Sequence, residues 1–211
     1  MRFGVSMELM EDNPMKKTIL PRKKEDTEAP NFYSKPELLE YFGYIKELDN
    51  YKYYALFRLL AITGMRKSET LALSINDIDL KAKTLTIGKT IAIDEFDNVI
   101  LQTPKTASSY RTIILDDETI KVMKKEMLIL GFNISKNGEV LFPNANNSHY
   151  YPQAVNDWLK WIYDKTKKDS LTLKIITPYG FRHTACSLMF ESAATISEVQ
   201  QRLVIRMSKQ Q

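Results

Sequence analysis

Three basic residues stand where a merely solvated charge has little reason to be. Arg66 follows a glycine at a helix junction in "TGMRKSE". Lys105 lies in the link between two strands in "QTPKTASSYRT". Arg182 lies one turn into a helix beside His183 in "TPYGFRHT". Planar guanidinium groups grip anionic oxygens bidentately and keep their charge. A lysine ammonium is a point charge whose pKa its surroundings move, which suits it to proton donation. Each residue also has a plainer reading. Arg66 could pair with Glu69 on its own helix, Lys105 could be an exposed turn lysine, and Arg182 could be satisfied by carbonyl groups. Convergence on one basic cleft is what would make them a site.

The elements that must position them are legible from caps and periodicity. Ser34-Lys35-Pro36-Glu37 is a capping box with an early proline, which predicts a helix to about Leu48. "YKYYALFRLLAITG" is apolar on most faces, so its helix is central, and Gly64 stops it. "MRKSETLAL" predicts a third, short helix and "INDIDL" a turn. The period then changes to two. "TLTIGKTIAI" and "NVILQT" alternate as strands around a turn from Asp94 to Asn98, and "YRTIIL" makes a third. A helix is expected from about Asp117 to Leu130, then a short buried link, "EVLFP". "PQAVNDWLKWIYDKTKK" places Val155, Trp158, Leu159 and Ile162 at core spacing. "TPYGFRHTACSLMFESA" is helical from about Pro178, and Thr195 to Glu198 is a second capping box. The class is α+β: a mostly helical domain with a small three-stranded antiparallel sheet.

The 211 residues suit one full-sized domain plus an appendage. A net charge of +4 permits a polyanionic partner. A single cysteine, Cys186, excludes an intramolecular disulfide and fits a reducing compartment. No run approaches the ~18 apolar residues of a membrane span. Glu8, Glu11 and Asp12 interrupt the N-terminus, so no signal peptide is expected and the address read from the sequence is cytoplasmic. Residues 1–12 read as the end of a helix, broken at Asn13-Pro14. Residues 14–30 carry Lys16, Lys17, Arg22, Lys23 and Lys24 between prolines, as an extended linker would.

Together these stretches resemble one family. "AITGMRKSETLALSINDID" resembles the first arginine box of the tyrosine recombinases, the phage-integrase family. "TPKTASSYRTIIL" resembles its lysine hairpin, including the stretch from Ser109 to Arg111. "ITPYGFRHTACSLMFESAATISEVQQRL" resembles its second arginine box, and "NPMKKTILPRKK" its linker from the core-binding domain. The resemblance implies a core-binding remnant and basic linker over 1–30 and a catalytic domain over 31–211. It implies double-stranded DNA as partner, other recombinase protomers as further partners, and neither metal nor cofactor. In the family a tyrosine hydroxyl attacks a phosphodiester to give a 3′-phosphotyrosyl bond and a free 5′-hydroxyl. Arg66 and Arg182 would then hold the non-bridging oxygens, and Lys105 would protonate the leaving 5′-oxygen. Tyr179 stands where the family commonly has histidine, and would contact phosphate rather than attack it. Lys16, Lys17, Arg22, Lys23 and Lys24 would contact DNA.

The tail departs from the family. After Leu203 the family typically continues Leu-Gly-His-Ser and soon reaches its nucleophilic tyrosine, whereas no tyrosine follows Tyr179 here. A family-like continuation coded TTA GGT CAT TCG GAT GTC AAA ACA ACA ATG A, with one G lost from GGT, reads Leu-Val-Ile-Arg-Met-Ser-Lys-Gln-Gln-stop. That is the tail from Leu203 to Gln211. The expectation is an integrase reading frame shifted by one nucleotide, so that the chain binds DNA without cleaving it. Gene sequence past the stop that encodes no tyrosine-containing helix in the other frame would end that idea. The alternative is a non-catalytic DNA-binding remnant or a dominant-negative partner of an intact recombinase.

Overall fold

The computed structural model describes residues 30–103, 110–131 and 140–203. Helix α1 spans Lys35–Lys46, α2 Tyr51–Thr63 and the short α3 Lys67–Leu71. Strands β1 (Ile78–Asp79), β2 (Thr84–Ile87), β3 (Thr90–Ile93), β4 (Val99–Gln102) and β5 (Arg111–Ile114) follow. Helices α4 (Asp117–Ile129), α5 (Ala154–Lys168), α6 (Gly180–Glu191) and α7 (Ile196–Leu203) complete the described elements. All of them belong to the unit Asn31–Gln211. Among the described residues no helix is long and apolar enough to cross a membrane.

The helix starts are chemical. Glu37 accepts from the Ser34 backbone N–H at 2.7 Å and Glu198 from that of Thr195 at 2.7 Å, so both capping boxes close. Asp116 caps α4 by accepting from the Thr119 N–H at 2.9 Å. The stop of α2 is also chemical. Gly64 adopts φ 67°, which L-residues with a Cβ avoid, and its N–H bonds back to the Leu60 carbonyl at 3.0 Å.

The expected three-stranded antiparallel sheet is present, but its strands come from different stretches. "TLTIGKTIAI" is two strands, not one. β2 pairs with β1 and β5 in an antiparallel sheet of order β1-β2-β5, while β3 pairs with β4 in a separate ribbon. The break falls at Gly88, where an added Cβ would lie 2.7 Å from the Tyr110 ring. Glycine there admits an aromatic side chain against the backbone, and alternation alone does not reveal that. Part of "INDIDL", read as a turn, supplies β1 after a single 3₁₀ turn at Ile75–Asp77.

The core forms around α2, which is buried on nearly every face. Phe57 on α2 packs against Phe181 on α6 with ring centroids 5.2 Å apart, and Tyr41 on α1 meets Phe181 at 5.5 Å. The Tyr41 ring belongs in this cluster but its hydroxyl does not. The residue is 0% exposed and its Oη finds no hydrogen-bond partner among the described residues. An unpaired buried hydroxyl costs about 1 kcal/mol or more. Tyr41→Phe is therefore expected to raise stability by about 1 kcal/mol in urea unfolding, and a loss of that size would show that the hydroxyl is satisfied.

Candidate phosphate-binding cleft

Arg66, Tyr179 and Arg182 meet on one cleft of about 810 Å³. Its floor is apolar, from Met65, Leu159 and Ile176, and Lys67, Lys160 and Lys167 lie on its walls with a single carboxylate, Asp164. Three stretches distant in sequence build it: the α2–α3 junction, α5, and the segment entering α6. Lys105, Lys16, Lys17, Arg22, Lys23, Lys24 and the tail beyond Leu203 lie outside the described residues.

The entry to α6 is held from several sides. The Thr177 N–H donates to Asn31 Oδ1 at 2.9 Å, and Asn31 Nδ2 donates to Thr177 Oγ1 at 2.9 Å. The Ile176 N–H donates to the Tyr163 hydroxyl at 3.0 Å, and that hydroxyl meets Tyr33 Oη at 2.9 Å. The Tyr33 N–H donates to Thr184 Oγ1 at 2.9 Å, one turn beyond Gly180. These ties fix where Tyr179 and Arg182 emerge.

Arg182 is 5% exposed. Its Nη1 donates to the Gly64 carbonyl at 2.7 Å and its Nη2 donates to the Leu203 carbonyl. Two carbonyl groups thus satisfy part of this arginine, and the residue also lines the cleft. Each terminal nitrogen carries two hydrogens, so one carbonyl bond leaves a donor in hand. Burial, and next the Arg66 charge, push the Arg182 guanidinium below its ordinary pKa range. Arginine does not lose its proton in proteins. Burial and the neighbouring Arg66 charge thus both disfavour the positive charge held here, and an anion in the cleft would offset them.

Arg66 is also engaged. Its Nη1 pairs with Glu69 Oε1 at 2.9 Å, while its side chain stays 49% exposed at the cleft. Glu69 in turn meets Arg111 at the start of β5, with Nη2 to Oε2 at 2.9 Å and Nη1 to Oε1 at 3.4 Å. Burial alone would raise the Glu69 pKa, but hydrogen bonds and charge from Arg111, then Arg66, hold it below the usual carboxylate value. Tyr179 is 60% exposed at the mouth, with the His183 ring edge-on at 4.7 Å. His183 is itself exposed. Among the described residues no group of His, Cys, Asp or Glu is arranged to hold a metal ion.

Sequence reasoning named Glu69 only as a partner for Arg66 and quoted Arg111 only within a stretch. A signal for Arg111 was present. It shares a strand face with Ile113, which is buried, so a charge at that position needs a buried partner.

Comparison with known proteins follows the same lines. A model of the phage integrase family matches residues 34–204. The integrase of Staphylococcus phage L54a is 27% identical over 208 residues, covering 89% of this chain and 55% of that protein. The transposase from transposon Tn916 of Enterococcus faecalis is 26% identical over 194 residues, 85% of this chain and 42% of the relative. The tyrosine recombinase XerC of Bacillus subtilis is 28% identical over 208 residues, covering 96% and 61%. The chain thus spans about half the length of such relatives. Among solved structures, the Tn1549 transposon integrase in complex with a circular intermediate DNA matches with TM-score 0.79 at 19% identity. That match covers 96% of this chain and 66% of the other. The XerA recombinase matches with TM-score 0.64 at 20% identity, covering 97% and 63%. At these identities the structures show the fold.

Proposed function

The chain belongs to the phage integrase family, and from that premise we propose that residues 31–211 are the catalytic domain of a site-specific DNA recombinase acting in integration. Residues 1–30 then carry the end of a core-binding domain and a basic linker. The observation that supports this reading most is the meeting of Arg66 and Arg182 on one cleft. Two fixed guanidinium groups there would hold the non-bridging oxygens of a DNA phosphodiester. Their charge would count most in the transition state, where negative charge gathers on those oxygens. Tyr179 adds a neutral hydroxyl donor at the mouth. Lys105 would give a proton to the departing 5′-oxygen, and Lys16, Lys17, Arg22, Lys23 and Lys24 would track the backbone. In this family the bond energy passes into a phosphotyrosine, so rejoining would need no nucleotide cofactor. Other recombinase protomers would complete the synapsis of two DNA sites.

On this reading the chain binds duplex DNA through phosphate contacts. Binding itself is tested with a fluorescein-labelled duplex of random sequence, by anisotropy across a salt series. Arg66→Ala should still fold, since its side chain is half exposed. It should weaken binding about tenfold and lower the slope of log affinity against log salt by about one. Unchanged affinity and slope would sink the reading.

A further inference from the structure

We infer that Arg111 is a positioning residue for phosphate binding: it cancels the charge of Glu69, so that Glu69 orients Arg66 without neutralising it. The inference rests on reading the cleft as a phosphate site. It answers a difficulty that the geometry raises. An arginine meant for an anionic substrate already has a carboxylate at 2.9 Å. An isolated Arg66–Glu69 pair would present almost no net charge, leaving Arg182 as the one uncompensated guanidinium at the cleft among the described residues. A substrate phosphate would then compete with Glu69 for Arg66.

Arg111 changes that account. Its guanidinium faces both carboxylate oxygens of Glu69, at 2.9 and 3.4 Å. Both side chains of this pair are 7% exposed, whereas the Arg66 side chain is 49% exposed. Coulomb attraction is stronger in the low-dielectric interior than at the half-solvated rim. The carboxylate charge is therefore spent chiefly on the buried arginine. Arg66 keeps one charge-assisted hydrogen bond, which aims it, and the trio keeps a net positive charge. The Arg66 backbone N–H also donates to Glu69 Oε2 at 2.9 Å, so the same carboxylate anchors the main chain that carries Arg66. β5 brings the neutralising charge from outside the arginine box, through the four-residue pairing of β2 with β5 that ends at Ile87 and Arg111. A lysine in place of Arg111 would supply the charge without the two-pronged geometry.

The test uses the same random-sequence duplex and salt series, with unfolding temperature measured for every variant. Arg111→Met should bind about tenfold more weakly, because Glu69 turns fully to Arg66, and its salt slope should fall by about one. Adding Glu69→Gln to Arg111→Met should bring affinity back to within about threefold of the parent, because the competing charge is gone. Arg111→Met leaves a buried carboxylate without its partner and could fail to fold. Arg111→His covers that case. At about pH 5.5 a protonated imidazole neutralises Glu69, and at about pH 8 it does not. Its affinity should therefore fall about tenfold over that range relative to the parent, and recover when the pH is lowered again.

A merely structural role would move the unfolding temperature but would produce neither rescue by Glu69→Gln nor a reversible pH profile. The inference is overturned if a folded Arg111→Met binds like the parent, if the double variant stays as weak as Arg111→Met, or if the Arg111→His profile parallels the parent's. Should Arg66→Ala bind like the parent, the phosphate reading itself fails. If Arg66→Ala weakens binding while the Arg111 variants do not, only the role of Arg111 fails.

Discussion

Gly64→Ala is expected to destabilise the chain by about 2–4 kcal/mol and to weaken the proposed DNA binding with it. Two costs add. At φ 67° an alanine sits in the left-handed region, which costs about 1 kcal/mol. Its Cβ would also drive into the Leu203 side chain and come to 3.1 Å from Ala185 Cβ. Leu203 is 0% exposed, so it has no solvent to swing into. Overpacking of this kind costs about 1–3 kcal/mol. The damage reaches the cleft because the Gly64 carbonyl receives the Arg182 Nη1 bond, and because α7 is tied to the same turn through the Leu203 carbonyl. Gly131 supplies the control. Its φ is 69°, but an added Cβ would meet nothing within 4 Å. Gly131→Ala should therefore show the conformational cost alone, about 1 kcal/mol, with DNA affinity unchanged. Urea unfolding of both variants checks this. Equal losses would mean that the packing around Gly64 yields more readily than its burial indicates.

The second large effect is a pH dependence set by Glu126 on α4. The residue is 2% exposed, and its Oε2 has no hydrogen-bond partner among the described residues. Burial pushes its pKa up to about 7, against a smaller opposing pull from Lys52, whose ammonium bonds the Tyr150 hydroxyl at 2.9 Å. Below the unfolded value of 4.5 the carboxyl is neutral in both states and costs nothing. As the pH rises from there to about 7, the unfolded chain ionises while the folded chain stays protonated, so stability is lost across that window. The full loss above it is about 3 kcal/mol. Glu126→Gln keeps the shape and removes the charge. At pH ~8 it should be more stable than the parent by about 1–3 kcal/mol, with the advantage vanishing near pH ~4.5. A difference curve that is flat with pH would place ordinary solvation around Glu126. Glu69 is the instructive opposite: equally buried, but held ionised by Arg111 and Arg66.

That contrast shows where sequence reading runs out. Glu69 and Glu126 are each one glutamate in a helical stretch; Arg66 is a local partner for Glu69, but the buried Arg111 that does most to hold it ionised arrives from β5. The helices were legible because their causes are local: a capping box at Ser34, another at Thr195, a left-handed glycine at position 64, and apolar spacing along α5. The division of the sheet was not legible, because "TLTIGKTIAI" alternates well enough for one strand. The break at Gly88 depends on a ring arriving from Tyr110, beyond the β3–β4 ribbon.

By itself the sequence determined the helices, their order, and the residue types able to hold a phosphate, since caps, periodicity and side-chain chemistry act over a few residues. Only the tertiary structure decided that Arg66 and Arg182 share a cleft. It alone decided that Arg182 is held by the carbonyls of Gly64 and Leu203, and that the carboxylate beside Arg66 is claimed by Arg111 from β5. Those outcomes turn on electrostatics between groups tens of residues apart. Their strength depends on how much water the fold leaves between them, and no local pattern records that.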